Sequence, residues 1–305
     1  MYVFEDFEVG RTGTFGGREV TADALADFAE SVGFPAGSPA AIRWFAVALQ
    51  LRMIVDDLLN KSSSQGAPGL EDVQWHADVA VGDVLEVRYQ VLERRQGRSR
   101  PEIGFVRLQF DTVNRQDAIV LSVRQWMMFG IRTALPAASP DLSTPAPAHY
   151  FPPRERGDLV RAEQPWRGWD DPVAGLASDT GSYRFMASDI QAFAQAFDPQ
   201  PFHVSESAAK RSLFGALCAS GLHSVVVCAA LADGGPWHEG PKGLKNLRWH
   251  RPVFAGERLW YRSVVESVVR SGDCHAIQWV HRKDQGLDSM HRVVLEFEDQ
   301  VGVRV

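Results

Sequence analysis

The stretch Phe197-Asp198-Pro199-Gln200-Pro201-Phe202-His203 combines two prolines with an aspartate and a histidine. Residues 187–197 before it have apolar residues at helical spacing, and Ser188 is suited to N-capping the first turn. Each proline disfavours helical backbone at the preceding residue, so we expect the helix to end at Asp198 and the chain to continue extended. Asp198 and His203 then lie on a stiff loop, which suits general acid–base catalysis.

A second helix is expected downstream, because residues 221–232 contain no Asp, Glu, Lys or Arg. Such a run is typical of a helix that is buried on nearly all sides. It would begin at Ser220 or Gly221 and end before Gly234-Gly235-Pro236. Gly221 would then present a backbone N–H at the positive end of the helix, where it could hold a carbonyl oxygen that gains negative charge during a reaction.

This motif, followed by Phe214-Gly215 and Ala219-Ser220-Gly221, resembles the MaoC-like acyl dehydratases, which include the (R)-specific enoyl-CoA hydratases. The resemblance implies an α+β hotdog fold, in which a curved antiparallel sheet wraps a central helix. It also implies hydration of 2-enoyl thioesters without a metal or cofactor, with Asp198 and His203 activating water and the Gly221 N–H binding the carbonyl. Gln200 stands where the family often has Asn, which bears on acyl-chain preference. The substrate-binding candidates are Phe202, Phe214, Gly215, Ser220, His223, Lys245 and Arg248.

The chain contains an internal duplication. Residues 18–30 repeat the pattern of residues 183–195, and residues 74–85 repeat residues 248–259 with Trp, His, Val, Gly and Leu in matching places. A repeat of this length indicates two copies of a domain. We therefore predict a tandem, or double, hotdog with a first repeat over 1–132, a Pro/Ala-rich linker over 133–175 and a second repeat over 176–305. Alternating apolar residues predict strands at 85–92, 104–110, 119–126, 259–266, 275–280 and 293–297.

The first repeat is expected to be catalytically silent. The second match has an offset nine residues longer than the first, so the first copy is that much shorter between its first helix and its Trp-His strand. Asp198 aligns with Gly33, and no His follows before the helix-like residues 40–52. We expect this half to supply part of the sheet and to shape the acyl pocket, with Arg43 and Arg52 as solvated or helix-end charges.

Composition excludes several classes of protein. The formal net charge of −6 argues against a nucleic-acid or anionic-membrane surface. The apolar runs are shorter than the roughly 20 residues that span a membrane, and the N-terminal residues do not resemble a signal peptide, so we expect a cytoplasmic protein. Three cysteines without metal-ligand spacing are interpreted as buried apolar residues.

Three functions stay open at this point. The favoured one is a reversible enoyl-thioester hydratase acting on acyl-CoA or acyl carrier protein thioesters. The alternatives are a hotdog thioesterase and a non-catalytic acyl-CoA-binding protein, and assembly into a homo-oligomer is also open.

His223 either lines the site or packs in the core. The cluster of Lys242, Lys245, Arg248 and Arg251 is either a solvated face or a site for CoA phosphates, whereas His76 and His250, which recur at one repeat position, are interpreted as structural.

Overall fold

The computed structural model describes residues 1–134, 157–270 and 277–304. Its helices are α1 (Ala22–Val32), α2 (Pro39–Asp57), α3 (Ala187–Phe197), α4 (Pro201–Val204), α5 (Glu206–Arg211) and α6 (Gly221–Ala232). Its strands are β1 (Thr12–Glu19), β2 (Gly69–Trp75), β3 (Val84–Gln96), β4 (Ile103–Val113), β5 (Ile119–Gly130), β6 (Asp158–Arg161), β7 (Ala177–Arg184), β8 (Trp237–Glu239), β9 (Gly243–Trp249), β10 (Arg258–Arg270), β11 (Ile277–Leu287) and β12 (Val293–Arg304).

The described strands form one antiparallel sheet in the order β1-β3-β4-β5-β2-β9-β12-β11-β10-β7-β6, with β8 added beside β12. The two halves join where β2 pairs with β9, and Gly69 opposes Arg248 while Gln74 opposes Gly243. These two pairs are related by the repeat, so the halves meet across a pseudo-twofold axis. The architecture is the expected α+β tandem of two copies.

Each half packs its sheet against one apolar helix, α2 in the first half and α6 in the second. Most residues of both helices are buried, so neither shows the one-sided pattern of a surface helix. The aromatic core is continuous between the halves. Phe197 packs edge-to-face on Phe28 and Phe45, with ring centroids 5.3 and 6.2 Å apart. The two copies therefore share one hydrophobic core.

The nine-residue difference between the copies has a simple structural origin. Six residues, 33–38, connect α1 to α2, whereas 23 residues, 198–220, connect α3 to α6. In compensation, α2 has 19 residues and α6 has 12. The first copy thus lacks the segment that carries the Asp-His pair and has about two extra turns of central helix.

Three local expectations are wrong. Helix α3 begins at Ala187 with Met186 as its N-cap, so Ser188 lies inside the first turn. The chain after Asp198 is not extended throughout, because Pro201 starts the single turn α4, and proline is favoured at a first helical position. Part of the segment predicted as a linker over 133–175 belongs to the folded structure, because β6 extends the sheet beside β7 and Trp169 is fully buried.

The rest of the predicted linker, residues 135–156, lies outside the described residues. In the part that is described, Arg161 of β6 donates to the carbonyls of Ala230 and Gly33, at 2.9 and 2.5 Å. The described part of the predicted linker thus ties the C-terminal part of α6 to the end of α1. Among the described residues, no helix combines the length and apolar character needed to cross a membrane.

Candidate active site

A cavity of about 330 Å³ lies between the two halves. Its C-terminal wall contains Asp198, His203 and Gly221, the three residues predicted to be catalytic. Its N-terminal wall comes from one stripe of α2, which includes Val47, Gln50 and Ile54, and from the inner face of β5, where Val123, Gln125 and Met127 alternate with outward residues. The first half, which lacks the pair of Asp198 and His203, therefore forms much of the cavity wall.

Asp198 is fixed by hydrogen bonds at both carboxylate oxygens. It follows the last residue of α3 and is 4% exposed. The Ser220 hydroxyl donates to Oδ2 at 2.5 Å, and the Gln200 side-chain amide donates to Oδ1 at 2.9 Å. These donors hold the carboxylate in one orientation and offset part of the cost of burying it.

His203 is held by a backbone carbonyl. It lies on α4 and is 5% exposed, and its Nδ1 donates to the Cys218 oxygen at 2.8 Å. A carbonyl oxygen can only accept, so Nδ1 carries the hydrogen and Nε2 of the neutral ring presents a lone pair. Nε2 lies 3.5 Å from Asp198 Oδ2. Two acceptors at this separation are suited to share one water molecule that donates a hydrogen bond to each.

Gly221 occupies a position with no room for a side chain. A Cβ there would lie 2.7 Å from the nearest atom of the Trp249 ring. Gly221 is the first residue of α6 and borders the cavity, and within the described ranges its N–H donates to no protein acceptor. The free N–H at the positive helix end can bind an oxygen that develops negative charge.

The first half also supports the loop that carries the pair. Arg52 of α2, interpreted above as a solvated or helix-end charge, is buried and donates to the carbonyls of Gln195 and Ala196 at the end of α3, at 3.0 and 2.8 Å. Asn60 donates to the Pro199 oxygen at 3.3 Å, and the Ser64 hydroxyl donates to Gln200 Oε1 at 3.2 Å. No sequence motif marked these residues, because the contacts exist only when the halves pack together.

The substrate-binding candidates separate into two groups. Phe202, Phe214 and Ser220 border the cavity, but Gly215, His223, Lys245 and Arg248 are not among the described residues that form its wall. Lys245 and Arg248 are exposed residues of β9 whose neighbours Leu244 and Leu247 point inward. The strand alternation thus directs them away from the cavity. Of the basic cluster, Arg251 borders the cavity and pairs with Glu257 at 2.8 Å and Asp288 at 3.5 Å.

His223 belongs to the core of the second half. Its ring is fully buried and stacks on Phe193, with ring centroids 4.3 Å apart. Its Nε2 lies 3.5 Å from Asp189 Oδ2, which accepts from the Tyr183 hydroxyl at 2.5 Å. Burial, and secondarily the charge of His203, lowers the pKa of His223 to about 3. Gly221, Leu222 and Ser224 of α6 border the cavity, and the helical spacing of about 100° per residue places His223 on the side that faces away from it.

Two cysteines are free and buried, as expected, and Cys274 lies outside the described residues. Burial, and then the nearby Asp198 charge, raises the pKa of Cys218 to about 12. This thiol stays protonated at neutral pH and is a poor nucleophile, so its backbone oxygen is the part that serves the site. Within the described ranges, no group of three or more His, Cys, Asp or Glu is placed to hold a metal ion.

Comparison with known proteins bears on the family and the fold of this chain. Residues 172–283 match the model of the MaoC-like domain. A protein described as a MaoC domain dehydratase from Chloroflexus aurantiacus J-10-fl is similar over 99% of this chain and 97% of its own, with 18% identity and a TM-score of 0.77. A Mycobacterium tuberculosis protein described as having a double hotdog fold is similar over 98% of this chain and 97% of its own, with 15% identity and a TM-score of 0.66.

A MaoC-like dehydratase from Rhodospirillum rubrum is 32% identical over 44% of this chain and 94% of its own, with a TM-score of 0.41. No match is found among curated proteins. The two full-length similarities confirm the predicted α+β double hotdog fold.

Proposed function

We propose, from the premise that this chain is a double-hotdog member of the MaoC-like dehydratase family, that it catalyses reversible hydration of 2-enoyl thioesters to 3-hydroxyacyl thioesters. The observation that carries the proposal is the pair of acceptors, Asp198 Oδ2 and His203 Nε2, 3.5 Å apart in the wall of an apolar cavity. Beside them lies the free N–H of Gly221.

In this mechanism the pair activates one water molecule. Asp198 and His203 orient the water and one of them takes a proton from it, while its oxygen forms a bond to C3 of the enoyl group. The C2–C3 π electrons move toward the thioester carbonyl, and the Gly221 N–H stabilises the enolate oxygen that develops. The proton then returns from the pair to C2, so that the elements of water are added without change of oxidation state. Dehydration follows the same steps in reverse.

The surroundings support this division of roles. Ser220 and Gln200 donate to the carboxylate and leave it acting as an acceptor, and the Cys218 carbonyl fixes the histidine tautomer that accepts at Nε2. The apolar wall from α2 and β5 is suited to an acyl chain. We infer an acyl-CoA or acyl carrier protein thioester as the substrate, in a cytoplasmic setting and without a cofactor.

The test is the loss of enoyl-thioester absorbance when crotonyl-CoA or a longer 2-enoyl-CoA is mixed with the purified protein. Removing a positioned acid or base from such a site typically costs about 100- to 10,000-fold in rate. We therefore expect kcat to fall by that range in Asp198→Asn and in His203→Ala. Matched controls are Asp23→Asn and His76→Ala, which are exposed residues of the first half.

Two other results would contradict the proposal. Release of free CoA, detected with a thiol-trapping reagent, without any 3-hydroxyacyl product would indicate a thioesterase. Binding of acyl-CoA with no change in enoyl absorbance, on both CoA and acyl carrier protein substrates, would indicate a non-catalytic binding protein.

A further inference from the structure

The polar side chains that border the cavity do not all serve the proposed reaction. On the C-terminal wall, Asp198, Gln200 and Ser220 form one hydrogen-bonded network around the carboxylate. On the N-terminal wall, two further amides, Gln50 and Gln125, stand among apolar residues and take no part in that network. Since the chemistry of hydration does not require them, these amides call for a separate explanation.

Gln125 is a buried amide without a protein partner. It lies on the inner face of β5 between Val123 and Met127 and is 5% exposed. Throughout the described part of the chain, no residue forms a hydrogen bond with its side-chain amide, and that side chain borders the cavity. Its polar atoms are not among the fully buried unpaired side-chain atoms of the described residues, so they keep access to the cavity. An amide that faces the cavity without a protein partner is available to form hydrogen bonds with a ligand.

Gln50 has one of its two polar groups satisfied. It is 2% exposed on α2, and its Nε2 donates to Thr112 Oγ1 at 2.8 Å. Thr112 lies on the inner face of β4, so this contact fixes the amide against the sheet. The Gln50 carbonyl oxygen has no hydrogen-bond donor among the described residues. The N-terminal wall thus holds an amide donor and acceptor at Gln125 and an acceptor at Gln50.

The charge of the wall limits what these amides can bind. The described residues of the first half that border the cavity include no Asp, Glu, Lys or Arg. Arg251, the cation at the cavity, belongs to the other half and is paired with Glu257 and Asp288. Burying a carboxylate against neutral amides would cost more than the amides return. A hydroxyl or ketone can be accommodated, because an amide both donates and accepts.

We propose that the acyl group of the substrate carries an uncharged oxygen, a hydroxyl or a ketone, on its tail, and that Gln125 binds this oxygen with Gln50 as a second contact. This inference rests on the hydratase function proposed above. The reacting carbons face the pair on the C-terminal wall, and the tail then extends along the N-terminal wall where the amides lie. Gln125 is thereby a specificity-determining residue that the first half supplies to a site whose Asp-His pair belongs to the second half.

The experiment compares substrates that differ only at the tail. A series of ω-hydroxy-2-enoyl-CoA thioesters of increasing length is assayed, each beside the thioester in which a methyl group replaces the hydroxyl. A site that is built to hydrogen-bond a substrate group discriminates against the analogue lacking it. We expect wild-type kcat/KM to be at least about 10-fold higher for the hydroxylated member at the best length, and Gln125→Met to bring that ratio to about one.

The matched control is Gln90→Met, because Gln90 is an exposed residue of β3 away from the cavity and should keep the wild-type ratio. Binding of the corresponding saturated acyl-CoA pairs, measured by calorimetry, gives a readout that does not depend on turnover. The same preference is expected in Kd for wild type and is expected to be lost in Gln125→Met.

The outcomes separate the two proposals. Turnover with equal kcat/KM for both members at every length, unchanged in Gln125→Met, overturns the oxygen subsite and leaves the hydratase assignment intact. Absence of turnover with a retained Kd preference that Gln125→Met removes supports the subsite and overturns the hydratase assignment. Absence of both turnover and binding overturns both.

Discussion

Two histidines of the second half show how the surroundings of a residue decide its role. His203 has an acceptor at Nδ1 and a cavity at Nε2, so its ring can exchange protons with a ligand. His223 is on the opposite side of α6, stacked on Phe193 and removed from water. The same type of side chain thus borders the cavity in one position and packs in the core in the other.

We predict that His223 makes the fold sensitive to acid. Its folded pKa of about 3 lies below the ordinary value, so the unfolded chain binds the proton more readily. The stability this group provides is present above about pH 6.5 and is lost as the pH falls toward 3. Protonation of His223 in the unfolded chain should lower the wild-type free energy of unfolding by about 2 kcal/mol as the pH falls from about 7 to about 5.

The measurement is urea unfolding of wild type and His223→Leu at both pH values. Since the leucine cannot titrate, the variant should lose about 2 kcal/mol less than wild type over this interval, whatever its stability at neutral pH. His76→Leu, which replaces an exposed histidine, should follow the wild-type pH dependence. An equal loss in wild type and His223→Leu would show that His223 does not carry the effect.

At the scale of elements, α2 and α3 are joined by Arg52. Its guanidinium donates to the last carbonyls of α3 and pairs with Asp56 at 2.8 Å. Carbonyls at the C-terminal end of a helix have no partner within it, and these two lie three and two residues before Asp198. Arg52 therefore connects a helix of the first half to the loop that carries the proposed catalytic carboxylate.

We predict that Arg52→Met lowers kcat by about 10-fold with a smaller change in KM, because a misplaced carboxylate affects the reaction more than it affects binding. It should also lower the free energy of unfolding by about 2 kcal/mol, since two partly buried carbonyls lose their charged donor. The matched control is Arg18→Met, because Arg18 pairs with the same Asp56 but does not donate to α3. A fall in stability with unchanged kcat would limit Arg52 to a structural role.

Much of this arrangement follows from local sequence patterns. The two prolines predict the end of α3, the uncharged run predicts α6, and alternation predicts the strands on which the inner and outer faces depend. What local patterns could not supply is the packing between copies. Arg52, Ser64 and Gln125 look like ordinary polar residues of a helix, a loop and a strand, and their contacts with the site depend on contacts between distant segments. Lys245 and Arg248 were misplaced for a related reason, because their side of β9 is set by strand register.

At the scale of the whole molecule, the halves are held together by a close approach of β2 and β9. A Cβ at Gly69 would lie 2.1 Å from the Leu247 oxygen, and a Cβ at Gly243 would lie 2.4 Å from the Val73 oxygen. These glycines occupy equivalent positions in the two repeats. Because the obstructing atoms are backbone, the strands would have to separate to admit even a methyl group.

We predict that Gly69→Ala and Gly243→Ala each lower the free energy of unfolding by about 2 kcal/mol, a cost typical of overpacking a rigid site. Each variant should still unfold in a single transition, since the halves share one core. The control is Gly240→Ala, where the nearest atom would be 3.6 Å from the new Cβ. Thermal unfolding followed by circular dichroism measures both effects. Two separate transitions in any of these proteins would contradict a shared core.

The short connection between α1 and α2 limits how this protein could change over evolutionary time. Point mutations could place an aspartate and a histidine in residues 33–38, yet six residues cannot form the loop and turn that orient them in the other copy. Building a second centre would need an insertion and would also require unwinding the first turns of α2, where Phe45 packs against Phe197 of the other half. The second copy therefore depends on the present form of the first, and duplication of the domain has led here to dependence between the copies in place of redundancy.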